Sequence, residues 1–359
     1  MGEAALLEFR ERIEAAARSG AGLRLRGGGT KDFYGEAPTG ELLDTRGYRG
    51  IVAFEPTELV ITARCGTPLA EVQAALAERG QMLAFEPPSF GESATVGGVF
   101  SAGLSGPRRM AAGAARDFVL GAKLLDGAGQ LKAFGGQVMK NVAGYDVSRL
   151  LCGALGTLGL VTEVSLKVLP RPPAEATLEM TLSEADAIRC LNEWGGQPIP
   201  VSATAWHASR LRMRLSGAGA AVEASARRFE QTHAAQMLDA HSGARFWEAL
   251  REHADPFFAG DEPLWRVSVP SVAPPLELPG STLIEWGGAL RWVRATALPD
   301  EVRAAARAAG GSATLFRAAH KACGAFEPLA PPLAALHQRL KREFDPAGVF
   351  NPGRMYAGL

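Results

Sequence analysis

LRLRGGGTKDFYG, residues 23–35, decides how this chain is read. Alternating leucine and arginine predict a short strand, and the strand runs directly into Gly27-Gly28-Gly29-Thr30. Three glycines in a row strip the turn of side chains, so that the main chain itself can approach something bound. A second segment, PPSFGESATVGGVFSAGLSGPRR at 87–109, holds Gly97-Gly98, Ser101, Ser105 and Gly106. A third, GALGTLGLVTEV at 153–164, holds Gly156-Thr157 and Val161. A diphosphate group prefers converging backbone N–H donors, which glycine makes reachable. Thr30, Ser101 and Ser105 could add hydroxyl donors. One such loop alone is more often a plain turn; three in one half of a chain favour ligand binding.

Two common nucleotide loops fit badly. The spacing is not G-x-G-x-x-G, and no acidic residue closes a second strand where a ribose would be held. No Gly-Lys-Ser/Thr occurs, so there is no P-loop. A parallel-sheet nucleotide domain is the weaker fold alternative.

Composition narrows the class. At 359 residues two domains are expected. Lysine plus arginine and aspartate plus glutamate both number 38, so the basic excess of a nucleic-acid binder is missing. The 42 glycines imply many tight turns or close backbone approaches. No apolar run is long enough to span a bilayer, and EAALLEFRERIEAAARSG at 3–20 reads as an amphipathic helix, with Leu6, Leu7, Ile13 and Ala17 on one face, rather than a signal peptide. A cytoplasmic protein is expected. Cys65, Cys152, Cys190 and Cys323 are scattered and form no C-x-x-C pair, so no zinc ribbon or iron–sulfur site is encoded.

Along the chain, strands are predicted over 23–26, 42–44, 51–54 and 60–64. Thr67-Pro68 predicts a capped helix start and Gly80 its end. Further strands follow at 118–125 and 160–169. Pro170-Arg171-Pro172-Pro173 is the linker candidate, since clustered prolines cannot continue a strand. Beyond it strand-like segments (176–182, 201–206, 211–215, 264–269, 283–286, 290–295) and helix-like ones (184–194, 220–234) alternate, an α+β pattern with an antiparallel sheet backed by helices. Two more helices, at 301–309 and 333–343, lead to FDPAGVFNPGRMY.

RGGGT, ATVGGVFSAGLSGP, GALGTLGLVTEVSLKVLPRP and FDPAGVFNPGRM together resemble the vanillyl-alcohol oxidase, or PCMH, type of FAD-binding domain, over residues 23–172 and 340–356. Within that family, VMKNVAGYDVSRLLCGALGTLG, LKREFDPAGVFNPGRMY and LIEWGGALRWVRA resemble the FAD-binding subunits of bacterial glycolate oxidase. The resemblance implies an FAD-binding domain of two α+β subdomains over 1–172, an α+β cap with an antiparallel sheet over 173–315, and a segment returning to the flavin over 316–359. It implies that Gly27, Gly28, Gly29 and Thr30 form the diphosphate loop. Gly97, Gly98, Ser101 and Gly106 would form a second wall, Gly156, Thr157 and Val161 the adenine side, and Asn351 a neighbour of the flavin ring. Lys140, Gly144 and Tyr145 match as well, without an evident chemical role. Family members that tether FAD do so through a histidine or cysteine in these loops; RGGGTKDFYG and SFGESATVGG contain neither, so non-covalent FAD is expected.

The resemblance further implies a complex that oxidises glycolate, a 2-hydroxy acid, to glyoxylate, with a homologous FAD-binding D subunit and an iron–sulfur subunit as partners. Such a complex would be cytoplasmic or peripheral at the inner membrane. The catalytic relatives carry a histidine-rich metal motif in the cap, which this chain lacks: its six histidines show no metal-ligand spacing. Arg291, between Trp286 and Trp292, is the candidate to hold a substrate carboxylate; stacking as a structural cation on those tryptophans is the equal alternative. Lys321 is a weaker candidate, and Arg108-Arg109 could meet phosphate. Three readings stay open: a redox subunit of the complex, a non-catalytic FAD-binding scaffold, and a stand-alone 2-hydroxy acid dehydrogenase of the D-lactate type.

Overall fold

A computed structural model describes residues 2–136 and 145–359. Lys140 and Gly144 lie outside the described residues. The chain divides into two units, the first built from Met1–Leu104, Ala114–Pro170 and Pro328–Leu359, the second from Ser105–Gly113 and Arg171–Glu327. The Pro170 linker therefore falls at the junction. The sequence-based boundaries shift elsewhere: 105–113 goes with the second unit, and so does 316–327, because Ser312–Arg317 is a strand that pairs with Leu264–Ser268.

In the first unit the helix Gly2–Ser19 buries Phe9, Ile13 and Ala16, spaced four and three apart. Of the predicted face, Ile13 is buried and Leu6 and Ala17 pack against the same core, while Leu7 points outward at 54% exposure. Leu23–Arg26 pairs in parallel with Glu41–Asp44, and Leu23 also bridges to Phe350. An antiparallel sheet follows in the order Ile51–Glu55, Val60–Arg64, Leu160–Lys167, Val119–Leu125, Leu131–Gly135. Its middle strand, Leu160–Lys167, is buried along nearly its whole length. The helix Leu69–Glu78 begins after Pro68 as expected, but Thr67 does not cap it. The Thr67 hydroxyl is instead spent on Gly50, accepting from its amide at 2.9 Å and donating to its carbonyl at 3.1 Å.

The second unit is an eight-stranded antiparallel sheet. The strands run Gln236–Met237, Ala174–Thr181, Arg210–Gly217, Val201–His207, Ser281–Glu285, Leu290–Arg294, Leu264–Ser268 and Ser312–Arg317. Glu184–Gly195 and Gly219–His233 cover one end of one face, giving a core around Trp194, Phe229, Leu178 and Met213. Pro299–Ala308 covers the other end through Val302 and Ala306, against Trp265, Val267 and Val293. The architecture is α+β in both units. No described helix is long and apolar enough to cross a membrane.

Candidate functional site

The first strand of the chain sets up the site. Amides alternate sides along a strand. The Leu23 amide donates to the Val349 carbonyl at 2.7 Å, and the Leu25 amide donates to Asn351 Oδ1 at 2.8 Å. Gly27 continues that series past the last acceptor. Among the described residues no acceptor is bonded to the amides of Gly27, Gly28, Gly29 or Thr30. Four successive unspent donors on residues that line one cleft are the kind of arrangement an anion favours.

The turn is closed by backbone packing that tolerates no side chain. A Cβ on Gly28 would stand 1.6 Å from the Ser93 carbonyl oxygen, and one on Gly27 would stand 2.3 Å from Thr95 Oγ1. Gly97 is pressed on Cys65, where a Cβ would meet Cys65 Cβ at 2.7 Å. Gly98 differs: its nearest neighbour would be Thr95 Oγ1 at 3.4 Å, and it borders two adjoining clefts. The first cleft takes Gly27, Gly28, Gly29, Thr30, Ser101 and Asn351; the second adds Gly97, Gly156 and Val161. Cys65 lies behind this wall, fully buried, with its thiol pushed up to about 12 by burial.

Charge in the first cleft is predominantly positive. Arg26 Nε pairs with Asp32 at 2.8 Å, Lys31 Nζ donates to the Ser89 carbonyl at 3.0 Å, and Arg354 also lines the wall. Arg354 is buried at 7% exposure, and its guanidinium donates to the carbonyls of Asp32 at 2.9 Å, Lys31 at 3.3 Å and Glu36. Burial lowers its pKa, with Asp32 and Glu36 acting against that. The sequence reading missed Arg354, although it stands three residues after Asn351 in FNPGRM. The donor set of unspent amides, hydroxyls and two cations beyond the Arg26–Asp32 pair fits a diphosphate, and the open face of Gly98 leaves room beside the main chain.

Two of the expected cofactor residues sit elsewhere. Thr157 is buried, its hydroxyl donating to the Ala154 carbonyl at 2.8 Å. It lines a separate, largely apolar cavity with His337, Leu340, Lys341 and Met355. Gly106 belongs to the second unit, where its carbonyl accepts from Trp286 Nε1 at 3.1 Å.

Arg291 is corrected outright. It stands opposite Val267 and Ile284, so it projects to the helix-covered face while Leu290 and Trp292 project to the other. Its exposure is 0%; Nε donates to the Gly288 carbonyl at 2.7 Å, Nη2 to Ala273 at 2.9 Å, and Nη1 lies 3.8 Å from Glu184. Burial draws its pKa down to about 10, opposed by Glu184. Its guanidinium is a core staple with no open side and stacks on neither tryptophan. Arg108 pairs with Glu175 at 2.5 Å, and Arg109 lies over the Trp286 ring at 4.5 Å, so both are engaged inside the second unit. Lys321 donates to the Phe316 carbonyl at 3.2 Å. Among the described residues no group of three or more histidine, cysteine, aspartate or glutamate side chains could hold a metal ion.

Residues 6–135 match the FAD binding domain family. That match, together with its oxidoreductase relatives, makes the chain an FAD-dependent oxidoreductase. The chain is 49% identical over 350 residues to glycolate oxidase subunit GlcE of Escherichia coli (strain K12), covering 97% of both, and it belongs to that family of glycolate oxidase subunits. It is 32% identical over 164 residues to glycolate oxidase subunit GlcD of Bacillus subtilis (strain 168), covering 45% of this chain and 35% of that protein. The crystal structure of p-cresol methylhydroxylase with substrate bound shares its fold, with a TM-score of 0.70 at 13% identity over 97% of this chain and 87% of that one.

Proposed function

We propose that this chain is the FAD-binding subunit of a glycolate oxidase complex that oxidises glycolate to glyoxylate and delivers the electrons to an iron–sulfur partner. The observation that carries this reading is the near full-length identity to the Escherichia coli subunit. The partial match to a GlcD protein supports a homologous flavoprotein as second partner. Any contact with a membrane would be made through the complex.

When bound, FAD supplies a two-electron acceptor. The residues of this chain hold it without a covalent bond. Amides from Gly27 to Thr30 donate to the diphosphate, and the hydroxyls of Thr30 and Ser101 add to them. Lys31 and Arg354 offset its negative charge, and because Arg354 is largely desolvated its charge is only weakly screened. Gly97 and Gly98 keep the second wall at main-chain height, and Gly156 and Val161 extend the cleft on the other side. Asn351 fixes the strand from which the first loop springs.

The test is spectroscopic. The purified chain should be yellow and release its chromophore on acid precipitation. Anaerobic glycolate should bleach the flavin band, in the chain alone or on addition of its partners. A protein that takes up no added FAD, or an assembled complex that glycolate leaves oxidised, would overturn the reading.

A further inference from the structure

We propose that the second unit carries a carboxylate site on the Trp286 indole, with Arg266 as the residue that grips the acid group of a small 2-hydroxy acid. The choice of ligand rests on the proposed glycolate reading; the site itself rests on the following geometry.

Arg266 is the middle residue of Leu264–Ser268. Its neighbours Trp265 and Val267 enter the core beneath Pro299–Ala308, so Arg266 projects to the opposite face, in register with Trp292 and Thr314. It is half-buried, yet among the described residues its side chain makes no hydrogen bond and no ion pair. Arginines nearby are spent: Arg291 on two carbonyls, Arg294 on Glu262 at 2.6 Å, and Arg303 on the carbonyls of Cys323, Gly324 and Phe326. The charge of Arg266 rests only on Trp286, 5.2 Å from the ring centroid, and Arg109 lies over the same ring at 4.5 Å. A half-desolvated guanidinium with five unspent donors is built to take a planar anion bidentately.

The platform is held in a costly conformation. Trp286, Gly287 and Gly288 have φ of 54°, 65° and 107°. A bulky residue at positive φ is uncommon and persists where its surroundings over-determine it. Here Trp286 Nε1 donates to the Gly106 carbonyl and the Gly287 amide donates to Thr204 Oγ1 at 2.9 Å. A side chain on Gly288 would strike the Ser271 carbonyl oxygen at 2.4 Å. The turn thus fixes the one ring on which both guanidinium groups lie. Beside Arg266, its register partner Trp292 joins Phe258, Phe316 and His253 in an aromatic wall, with His253 stacked on Phe258 at 3.9 Å. Burial, followed by the charges of Arg317 and Arg266, keeps that imidazole neutral near neutral pH. An aromatic wall next to one fork suits a compact organic acid better than a fully hydrated phosphate.

The test uses the FAD-loaded chain. Glycolate and acetate binding are measured by calorimetry for wild type, Arg266→Ala and Arg266→Lys, with the flavin spectrum recorded for each. Expected is a tenfold or greater loss of affinity for both acids in Arg266→Ala, a smaller loss in Arg266→Lys, and an unchanged flavin spectrum. In wild type, glycolate should protect Arg266 from phenylglyoxal, read by peptide mass spectrometry, which keeps the test alive should a variant fail to fold. Equal affinity in Arg266→Ala, absence of protection, or inorganic phosphate competing as well as glycolate would overturn the site. FAD-loaded protein that binds no acid defeats this inference and leaves the cofactor reading intact. Acid binding through Arg266, in a complex that glycolate does not reduce, defeats the glycolate reading and leaves the site intact.

Discussion

Asn351 holds Leu25 in place of a neighbouring strand: its Oδ1 accepts the Leu25 amide at 2.8 Å while its Nδ2 donates to the Leu155 carbonyl at 2.7 Å. One buried side chain therefore joins the strand that launches the first glycine loop to the segment that carries the third. Its φ of 40° is a left-handed value that asparagine tolerates better than most residues. Asn351→Ala leaves two backbone groups unpaired, the buried Leu155 carbonyl and the half-buried Leu25 amide, and the expected loss of stability is about 2–4 kcal/mol, read from urea unfolding. Asn351→Asp keeps the acceptor for Leu25, loses the donor to Leu155 and brings a negative charge to the cleft. Its FAD affinity, from fluorescence titration, is expected to fall at least about tenfold. Wild-type affinity in that variant would place the diphosphate elsewhere.

Gly28 and Gly98 separate two uses of glycine. A Cβ at Gly28 collides with the Ser93 carbonyl at 1.6 Å, so Gly28→Ala must move backbone and should destabilise the protein with or without FAD. A Cβ at Gly98 meets only Thr95 Oγ1 at 3.4 Å and otherwise enters the cleft. Gly98 lies inside the helix Val96–Ala102, where alanine is favoured by up to about 1 kcal/mol. Gly98→Ala should therefore leave the melting temperature of the FAD-free protein equal or higher and yet weaken FAD binding. Tighter binding in that variant would show that the open face of Gly98 is not where the cofactor lies.

The glycine loops were legible because their signal is local: a strand, then residues that no side chain could replace. The same holds for a short strand with clean alternation, Leu23–Arg26. What was illegible needed register. Arg291 and Arg266 are both arginines on short strands beside tryptophan, and only the pairing of Val267 with Arg291, and of Arg266 with Trp292, says which one enters the core. Arg291 attracted notice through its flanking tryptophans, which project to the other face. Thr67 failed as a cap because Gly50, distant in sequence, competes for its hydroxyl. Thr157, three residues before a strand of the sheet, turned away from the cleft because its hydroxyl closes its own turn on Ala154.

Lys341 joins the C-terminal helix Pro331–Phe344 to the same framework. Its Nζ donates to the carbonyls of Thr157 at 2.7 Å and Phe350 at 2.9 Å, and pairs with Asp345 at 2.8 Å. Asp345 in turn accepts from the amides of Val349 and Phe350, which fixes the chain just before Asn351. Both charged side chains are buried. Lys341→Met strands a buried carboxylate and two carbonyls, and about 3–5 kcal/mol of stability should be lost. Adding Asp345→Asn to that variant removes the stranded charge, so the double variant should be more stable than Lys341→Met alone. A double variant no more stable than the single would mean that Asp345 is not destabilised by losing its ammonium partner.

His253 makes the second unit acid-sensitive. Burial holds its pKa well below the ordinary 6.5, and the neighbouring charges of Arg317 and Arg266 act in the same direction. A folded-state pKa depressed in this way means that above 6.5 neither state is protonated and the group contributes nothing to the balance. Below 6.5 the unfolded chain takes a proton that the folded one refuses, so stability falls as pH drops, by up to about 1.4 kcal/mol per pH unit until the folded pKa is reached. His233, also lowered by burial and by Arg228, shifts in the same direction, so the slope is assigned to His253 only by substitution. His253→Phe keeps a flat ring to stack on Phe258 and removes the titration. Urea unfolding at about pH 7, 6 and 5 should give a shallower acid loss for the variant than for wild type. Identical slopes in the two proteins would mean that the His253 imidazole gains its proton as readily in the folded chain as in the unfolded one.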